Sequence, residues 1–330
     1  MNDDDTILFF SGADIHALLT MENCIEAMRE AFSALSHGKA IMPTRMRLNM
    51  EPDNANALFM PVYLPGSKRV GVKTVTNNID NIAKNLPIVH AMMMVFDSET
   101  GVPLAVMNGE VITAMRTGAV SGLATSLLAR KDSRIAAIIG TGTQGETQLE
   151  AVCAARPIAR AYVFDLNGDK ARAFAEKMAK KLKIEVLAAE APEALTEADV
   201  ICTATPSKTP VFDHLRLKRG VHINGVGSYK PDMLEIPAET VAEAKVVVDR
   251  MESCLAEAGD LVQPLERGVI TGDHIHGELG DVVTGKIAAR EDDEEITFFK
   301  SAGVAVQDLV CADLVITRGK ERKLGTTLAL

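Results

Sequence analysis

The chain has 330 residues, enough for two domains, and is 47% hydrophobic and 24% charged. A net charge of −10 with no Lys/Arg-rich run argues against nucleic acid or an anionic membrane as partner. Cys24, Cys153, Cys202, Cys254 and Cys311 are scattered, odd in number and form no C-x-x-C, which points to reduced thiols in a cytoplasmic compartment and away from disulfides or zinc. The acidic start Asn2-Asp3-Asp4-Asp5 is unlike a signal peptide. No apolar run in the sequence approaches the ~20 residues a membrane helix needs.

The first predicted element is a helix over 14–38, where Ile15, Leu18, Leu19, Ile25, Met28, Phe32 and Leu35 recur near a 3.6 period and Gly38 offers a C-cap. Short strands follow at Arg45–Met50, Ala57–Leu64, Val70–Thr76, Ala91–Phe96 and Leu104–Met107, separated by turn sequences such as Pro65-Gly66-Ser67. They predict a mainly antiparallel sheet or partial barrel. A helix rich in small residues (Gly118, Ala119, Ser121, Gly122, Ala124) is predicted over about 110–130.

From 134 to about 250 strands and helices alternate, the pattern of a parallel, doubly wound sheet. The strands are expected at 134–139, 160–165, 184–188, 199–204, 220–226 and 245–249, the helices at 143–155, 168–182 and 192–197. Residues 251–300 read as helical with acidic loops, and 303–317 as a helix with Val304, Val306, Leu309, Val310 and Leu314 on its apolar face.

The stretch Arg134–Asp165 carries the most chemistry. The apolar strand Ile135–Ile139 leads into Gly140-Thr141-Gly142-Thr143-Gln144-Gly145, then a helix, then a strand ending on Asp165. This is the dinucleotide-binding G-x-G-x-x-G in its required setting. Gly140 permits the turn, Gly142 lets backbone approach a pyrophosphate, and Gly145 lets the helix pack on the sheet. The helix N-terminus offers unpaired N–H groups to phosphate. Asp165 stands where a carboxylate accepts from the adenosine ribose hydroxyls and repels a 2′-phosphate, so NAD is expected, with Asn167 and Lys170 nearby leaving NADP possible.

Three basic residues stand out in the strand-rich part: Arg45, Lys73 within Val70–Val75, and Arg116 within Thr113–Gly118. Strict alternation sends Lys73 to solvent. A buried lysine needs a partner, and a converging Arg/Lys set is a receptor for a substrate carboxylate. Asp273-His274-Ile275-His276 has a feasible ligand spacing but no third ligand, so no metal is expected. His90 reads either as a proton relay or as a structural or cofactor-contacting histidine. Asp232 reads chiefly as a turn or cap residue.

In order along the chain, Pro43-Thr44-Arg45, Phe59-Met60-Pro61, Gly71-Val72-Lys73, Thr113–Gly118, the Gly140 loop, Ile223–Ser228 and Phe298–Gly303 together resemble the ornithine cyclodeaminase/mu-crystallin family, over about 6–320. The resemblance implies an α/β chain. A Rossmann-like NAD(P)-binding domain, 121–302, would accompany a smaller α+β domain, 1–120 with 303–330, that binds substrate and forms a homodimer. It implies that Arg45, Lys73 and Arg116 hold the substrate carboxylate near the nicotinamide. It places Thr117, Thr143, Gln144, Asp165, Ala204, Ser228 and Lys300 along the cofactor. Cyclodeaminases of the family carry an acid where this chain has Tyr229 and a glutamate where it has Leu58. Without those acids to manage the substrate amine, the expectation is an NAD(P)H-dependent reductase of cyclic imino acids. Alanine dehydrogenase, ornithine cyclodeaminase and a non-catalytic binding protein are the other readings.

Overall fold

Two units divide the chain in this computed structural model, which describes residues 6–189 and 192–330. One runs up to Arg116 and resumes over Ala305–Leu330; the other is Thr117–Val304. The acidic segment 2–5 lies outside the described residues.

The first unit is built on β1 (Thr6–Phe10), α1 (Gly12–Leu18), α2 (Met21–Ser36), β2 (Met46–Met50), β3 (Ala55–Leu64), β4 (Arg69–Asn78), β5 (Val89–Asp97) and β6 (Pro103–Asn108). α3 (Gly109–Leu128) begins here and continues into the second unit. The five predicted strands form, and β2 to β6 pair antiparallel in sequence order. The sheet has two more strands, in the order β15-β1-β6-β5-β4-β3-β2. β15 (Thr326–Ala329) is exposed at every position, so it carries no burial pattern to read.

The predicted helix 14–38 is two helices. Ser11 caps α1 by accepting from Asp14 N at 3.2 Å, while Asp14 Oδ2 accepts from Ser11 N at 2.9 Å. Thr20 opens α2 by accepting from Asn23 N at 3.4 Å, and Leu19 between them is extended. Two N-caps within one apolar period restart the helix, a signal that periodicity alone passes over.

The second unit holds a parallel eight-stranded sheet, order β13-β12-β14-β11-β10-β7-β8-β9. Its strands are β7 (Ile135–Ile139), β8 (Arg160–Phe164), β9 (Glu185–Ala188), β10 (Val200–Thr203), β11 (His222–Gly225), β12 (Lys245–Val248), β13 (Ile275–Glu278) and β14 (Thr297–Lys300). Its helices are α4 (Thr143–Ala155), α5 (Gly168–Leu182), α6 (Ala238–Glu243), α7 (Met251–Glu257), α8 (Gly259–Glu266) and α9 (Leu279–Val283). Both faces of the sheet are covered, which is why its strands read as unbroken apolar runs. Ala136 and Ile138 pack with Leu149, Val152, Phe174 and Met178 on one side. Ala137 and Ile139 pack with Val241, Leu261 and Phe298 on the other. Truncating one such side chain to alanine costs roughly 2–5 kcal/mol.

Three expectations need correction. The segment 192–197 is a 3-10 turn, Pro192–Glu197, six residues long. Residues 251–300 are not wholly helical: β13 and β14 lie within them, and β14 is an interior strand between β11 and β12. An apolar stretch of spanning length does exist, since α3 has 20 residues and a mean hydropathy of 1.3 over its most apolar window. Of that window 78% is buried within the protein. Its glycines serve packing: a Cβ on Gly118 would lie 2.5 Å from Thr147 O.

α10 (Ala305–Arg322) returns to the first unit and packs on α2, β3 and β4. Gly71 makes that approach possible, because a Cβ there would lie 2.9 Å from Leu309 Cδ1 and 2.5 Å from Met93 Cε.

Candidate active site

Lys73 sits in the middle of β4, opposite Met60 on β3 and Met93 on β5. It is 1% exposed, so alternation does not send it to solvent. The close seating of α10 on Gly71 brings Asp308 beside it. Lys73 Nζ lies 2.8 Å from Asp308 Oδ1 and 2.7 Å from Oδ2, and donates to Thr113 Oγ1 at 3.2 Å. Arg116 lies one turn beyond Thr113 on α3. Its Nε donates to Asp308 Oδ1 at 3.2 Å and its Nη1 to Gln307 Oε1 at 2.8 Å. Arg45, half-buried just before β2, lies close enough to act on the charge of Lys73. The first unit thus brings Lys73 and Arg116 onto the buried carboxylate of Asp308, with Arg45 acting on the charge of Lys73.

That arrangement changes the chemistry of the lysine. Burial pushes its pKa down from 10.5 to about 8; Asp308 pulls it up, and Arg116 and Arg45 push it further down. A lysine titrating there can give up a proton near neutral pH, which a solvated one does not do. Thr113, Gln307 and Asp308 were not among the residues singled out in the sequence. The available signal was the pair Gln307-Asp308 set between Val306 and Leu309 on the apolar face of a helix. Charge at a core position demands a partner.

The second unit carries the glycine loop at the carboxyl edge of its sheet. β7 has β8 on one side and β10 on the other, so the strand order reverses there. Ligands of doubly wound sheets bind at such a reversal. Gly140 has φ +100, and a Cβ on it would lie 2.5 Å from Ala204 O, at the end of β10. Gly145 is tighter: its Cβ would lie 2.1 Å from Gly140 O. Gly142, the N-cap of α4, has open space where a Cβ would stand. The first-turn N–H groups of α4 have no acceptor within the helix, and Thr143 is exposed beside them.

Asp165 closes this edge. Its Oδ2 accepts from Thr141 Oγ1 at 2.6 Å and from Thr141 N at 3.2 Å, and Oδ1 accepts from Asn167 N at 2.9 Å. Burial alone raises its pKa, but these bonds outweigh it and hold the carboxyl below the usual range. Gln144 Oε1 is buried and makes no hydrogen bond among the described residues. An open glycine, an oriented helix start, an ionised acid and an orphaned amide oxygen together fit a dinucleotide.

The remaining residues expected along the cofactor are held differently. Thr117 is buried, and its carbonyl accepts from Gln148 Nε2 at 3.1 Å. The side chains of Ser228 and Lys300 are fully buried. Ser228 Oγ donates to Met233 O at 3.0 Å, and Lys300 Nζ pairs with Asp260 Oδ2 at 2.9 Å. Both side chains are therefore spent inside the unit, at the ends of β11 and β14. Glu235, unremarked in the sequence, ties this edge together. It accepts from Thr205 N at 2.6 Å, Gly227 N at 2.8 Å and Thr203 Oγ1 at 2.9 Å.

The other candidates are accounted for locally. His90 Nδ1 lies 3.1 Å from Glu110 Oε1 on the surface. The Nε2 atoms of His274 and His276 lie against the carbonyls of Val241, at 2.7 Å, and Ala288, at 2.9 Å. Asp232 pairs with Lys208 at 2.7 Å.

Known proteins resemble the chain over nearly its whole length. A Delta(1)-pyrroline-2-carboxylate reductase of Bacillus cereus is 39% identical over 321 residues, 97% of this chain and 98% of that protein. The Thermococcus litoralis Delta(1)-pyrroline-2-carboxylate reductase, solved with NADH and L-proline, superposes with a TM-score of 0.93 at 44% identity. That match covers 97% of this chain and 99% of the other. An archaeal alanine dehydrogenase dimer with bound NAD superposes with a TM-score of 0.92 at 34% identity, covering 98% and 99% of the two chains. The sequence profile of the ornithine cyclodeaminase/mu-crystallin family matches residues 7–323, and the chain belongs to that family.

Proposed function

We propose that this protein is an NAD(H)-dependent ketimine reductase. It would convert Δ1-pyrroline-2-carboxylate or Δ1-piperideine-2-carboxylate to L-proline or L-pipecolate. The observation that carries this is the buried cluster of Lys73, Arg116 and Asp308, with Arg45 beside it. Support from outside the chain is its similarity to reductases of the same class.

Asp165, Gly142, Thr143, Gln144 and the start of α4 would hold the cofactor, with Ala204 and Gly140 shaping the floor beneath it. NADH, when bound, supplies a hydride to the imine carbon. Arg116 and Arg45 would clamp the substrate carboxylate, the guanidinium fork suiting two oxygens. Lys73 would give its proton to the imine nitrogen. The charge count favours this order. Lys73 and Arg116 share the one carboxylate of Asp308, an arrangement of net positive charge that attracts a carboxylate whose imine is neutral and disfavours an iminium arriving from solution. Proton transfer from Lys73 then creates the cation next to the lysine that has just become neutral. Ser228, Lys300 and Glu235 would act by fixing the strand ends.

The same groups can serve pyruvate and ammonia, whose imine is also a 2-carboxylate; the likeness to an alanine dehydrogenase keeps that second reading. We also read the working molecule as a homodimer. Met46 and Met92 stand in one cross-strand row of the first unit's sheet through Phe59 and Thr74, and are 61% and 51% exposed. The deciding experiment is oxidation of NADH and NADPH followed at 340 nm with Δ1-pyrroline-2-carboxylate and, separately, with pyruvate and ammonia. Fast NADH oxidation with the cyclic imine alone is expected. Turnover confined to pyruvate and ammonia would replace this assignment.

A further inference from the structure

An ammonium has three N–H donors. On Lys73, one is committed to Asp308 and one to Thr113 Oγ1, at 2.8 and 3.2 Å. The third makes no hydrogen bond among the described residues. The two anchors come from different elements, α10 and α3, so together they fix the rotation of the ammonium as well as its place. Asp308 is itself held from several sides: it is fully buried on a helix seated against Gly71, and it also receives Arg116 Nε at 3.2 Å. It is the only anion among the described residues named here that faces Lys73. The others are Thr113 and Arg116 from α3, Arg45 from the segment before β2, and apolar Met60 and Met93 from β3 and β5. Cys311, one turn beyond Asp308, is held as a neutral thiol by its contact with Cys24 and by burial.

We propose that Asp308 is the positioning residue of the reaction: it keeps Lys73 charged in a buried, cationic setting and aims its one unshared N–H at the imine nitrogen. This rests on the ketimine-reductase reading. Two functions are combined in one carboxylate, and substitutions separate them. Asparagine keeps an acceptor oxygen and removes the charge. Glutamate keeps the charge and displaces it by a methylene.

The test is the pH profile of kcat and kcat/KM of the full chain with NADH and Δ1-pyrroline-2-carboxylate. Activity requiring a protonated Lys73 falls as pH rises through the lysine's pKa, about 8 in the intact site. Without the negative charge that limb is expected to move down by at least about 1 pH unit in Asp308→Asn. Below the displaced limb, the variant should recover to within roughly tenfold of the parent. Asp308→Glu should keep the limb and lose at least about tenfold in kcat at every pH, with the KM for NADH unchanged. An unmoved limb in Asp308→Asn, with a uniform loss across pH, would reduce Asp308 to a structural role.

Should Asp308→Asn not fold, Asp308→Glu decides, and parental kcat there overturns the proposal. Should the parent reduce no ketimine, the function assignment fails by itself. The positioning of Lys73 is still read by NMR titration of 13Cε-labelled lysine, with Lys73 assigned through Lys73→Arg. A midpoint at least about 1 unit lower in Asp308→Asn upholds it, and an unchanged midpoint refutes it.

Discussion

Thr141 Oγ1 donates to Asp165 Oδ2 at 2.6 Å, so the glycine loop after β7 is latched to the end of β8 by the acid we propose selects the cofactor. Replacing Asp165 by serine should therefore do two things. The NADPH-to-NADH ratio of kcat/KM should rise at least about tenfold, because the charge opposing a 2′-phosphate is gone. The KM for NADH should rise as well, since Thr141 loses its latch. Initial rates with both nucleotides measure each effect; an unchanged ratio would remove Asp165 from cofactor choice.

Gly145→Ala tests the floor of the loop. The added methyl would meet Gly140 O at 2.1 Å, with backbone on both sides of the clash. A loss of roughly 1–3 kcal/mol in stability is expected from overpacking, together with weakened NADH binding. Calorimetry with and without NADH resolves the two. Gly142→Ala, whose Cβ meets nothing, should leave stability nearly unchanged and act on nucleotide binding alone.

Lys73→Met keeps most of the side-chain volume and removes the proton. We expect kcat/KM to fall about 10²–10⁴-fold, the usual worth of a positioned acid, while NADH binding followed by fluorescence stays as in the parent. Near-parental turnover would assign the proton to another group.

Stability should depend on His222 in acid. Burial, with Arg290 and Arg156 nearby, pushes its pKa from 6.5 down to about 3. The unfolded chain takes a proton on this residue near pH 6.5, and the folded protein refuses it until about pH 3. The stability this gives is complete above pH 6.5 and is lost as pH falls from there towards 3, by up to about 1.4 kcal/mol per pH unit. Urea unfolding between pH 4 and 7 should lose about one proton's worth of slope in His222→Gln.

The sequence was most legible where one rule sufficed. The Gly140 loop, both strands beside it and Asp165 are consecutive, so local pattern and function coincide. The antiparallel strands of the first unit announced themselves by turn residues. The core of the site did not, because Asp308 meets Lys73 across 235 positions, and nothing local tells a helix which strand it will cover. Glu235 escaped for a related reason: its partners Thr203, Thr205 and Gly227 lie at the end of β10 and in the segments after β10 and β11. β14 was misread because Thr297-Phe298-Phe299-Lys300 is too short to show a period, and its interior place comes from the strands on either side.

The return of α10 to the first unit sets an order of assembly. The sheet of the second unit has all its strands once Lys300 has been made. The first unit, although most of it is synthesised earlier, lacks α10 until the chain has passed Arg322. Until then Lys73 and Arg116 have no counter-charge, and Gly71 has no helix above it. A nascent chain is thus expected to carry a first unit whose buried basic residues are still uncovered, at a stage when the second unit is already able to fold. Nucleotide binding should accordingly appear on the ribosome before any capacity to bind the imino acid.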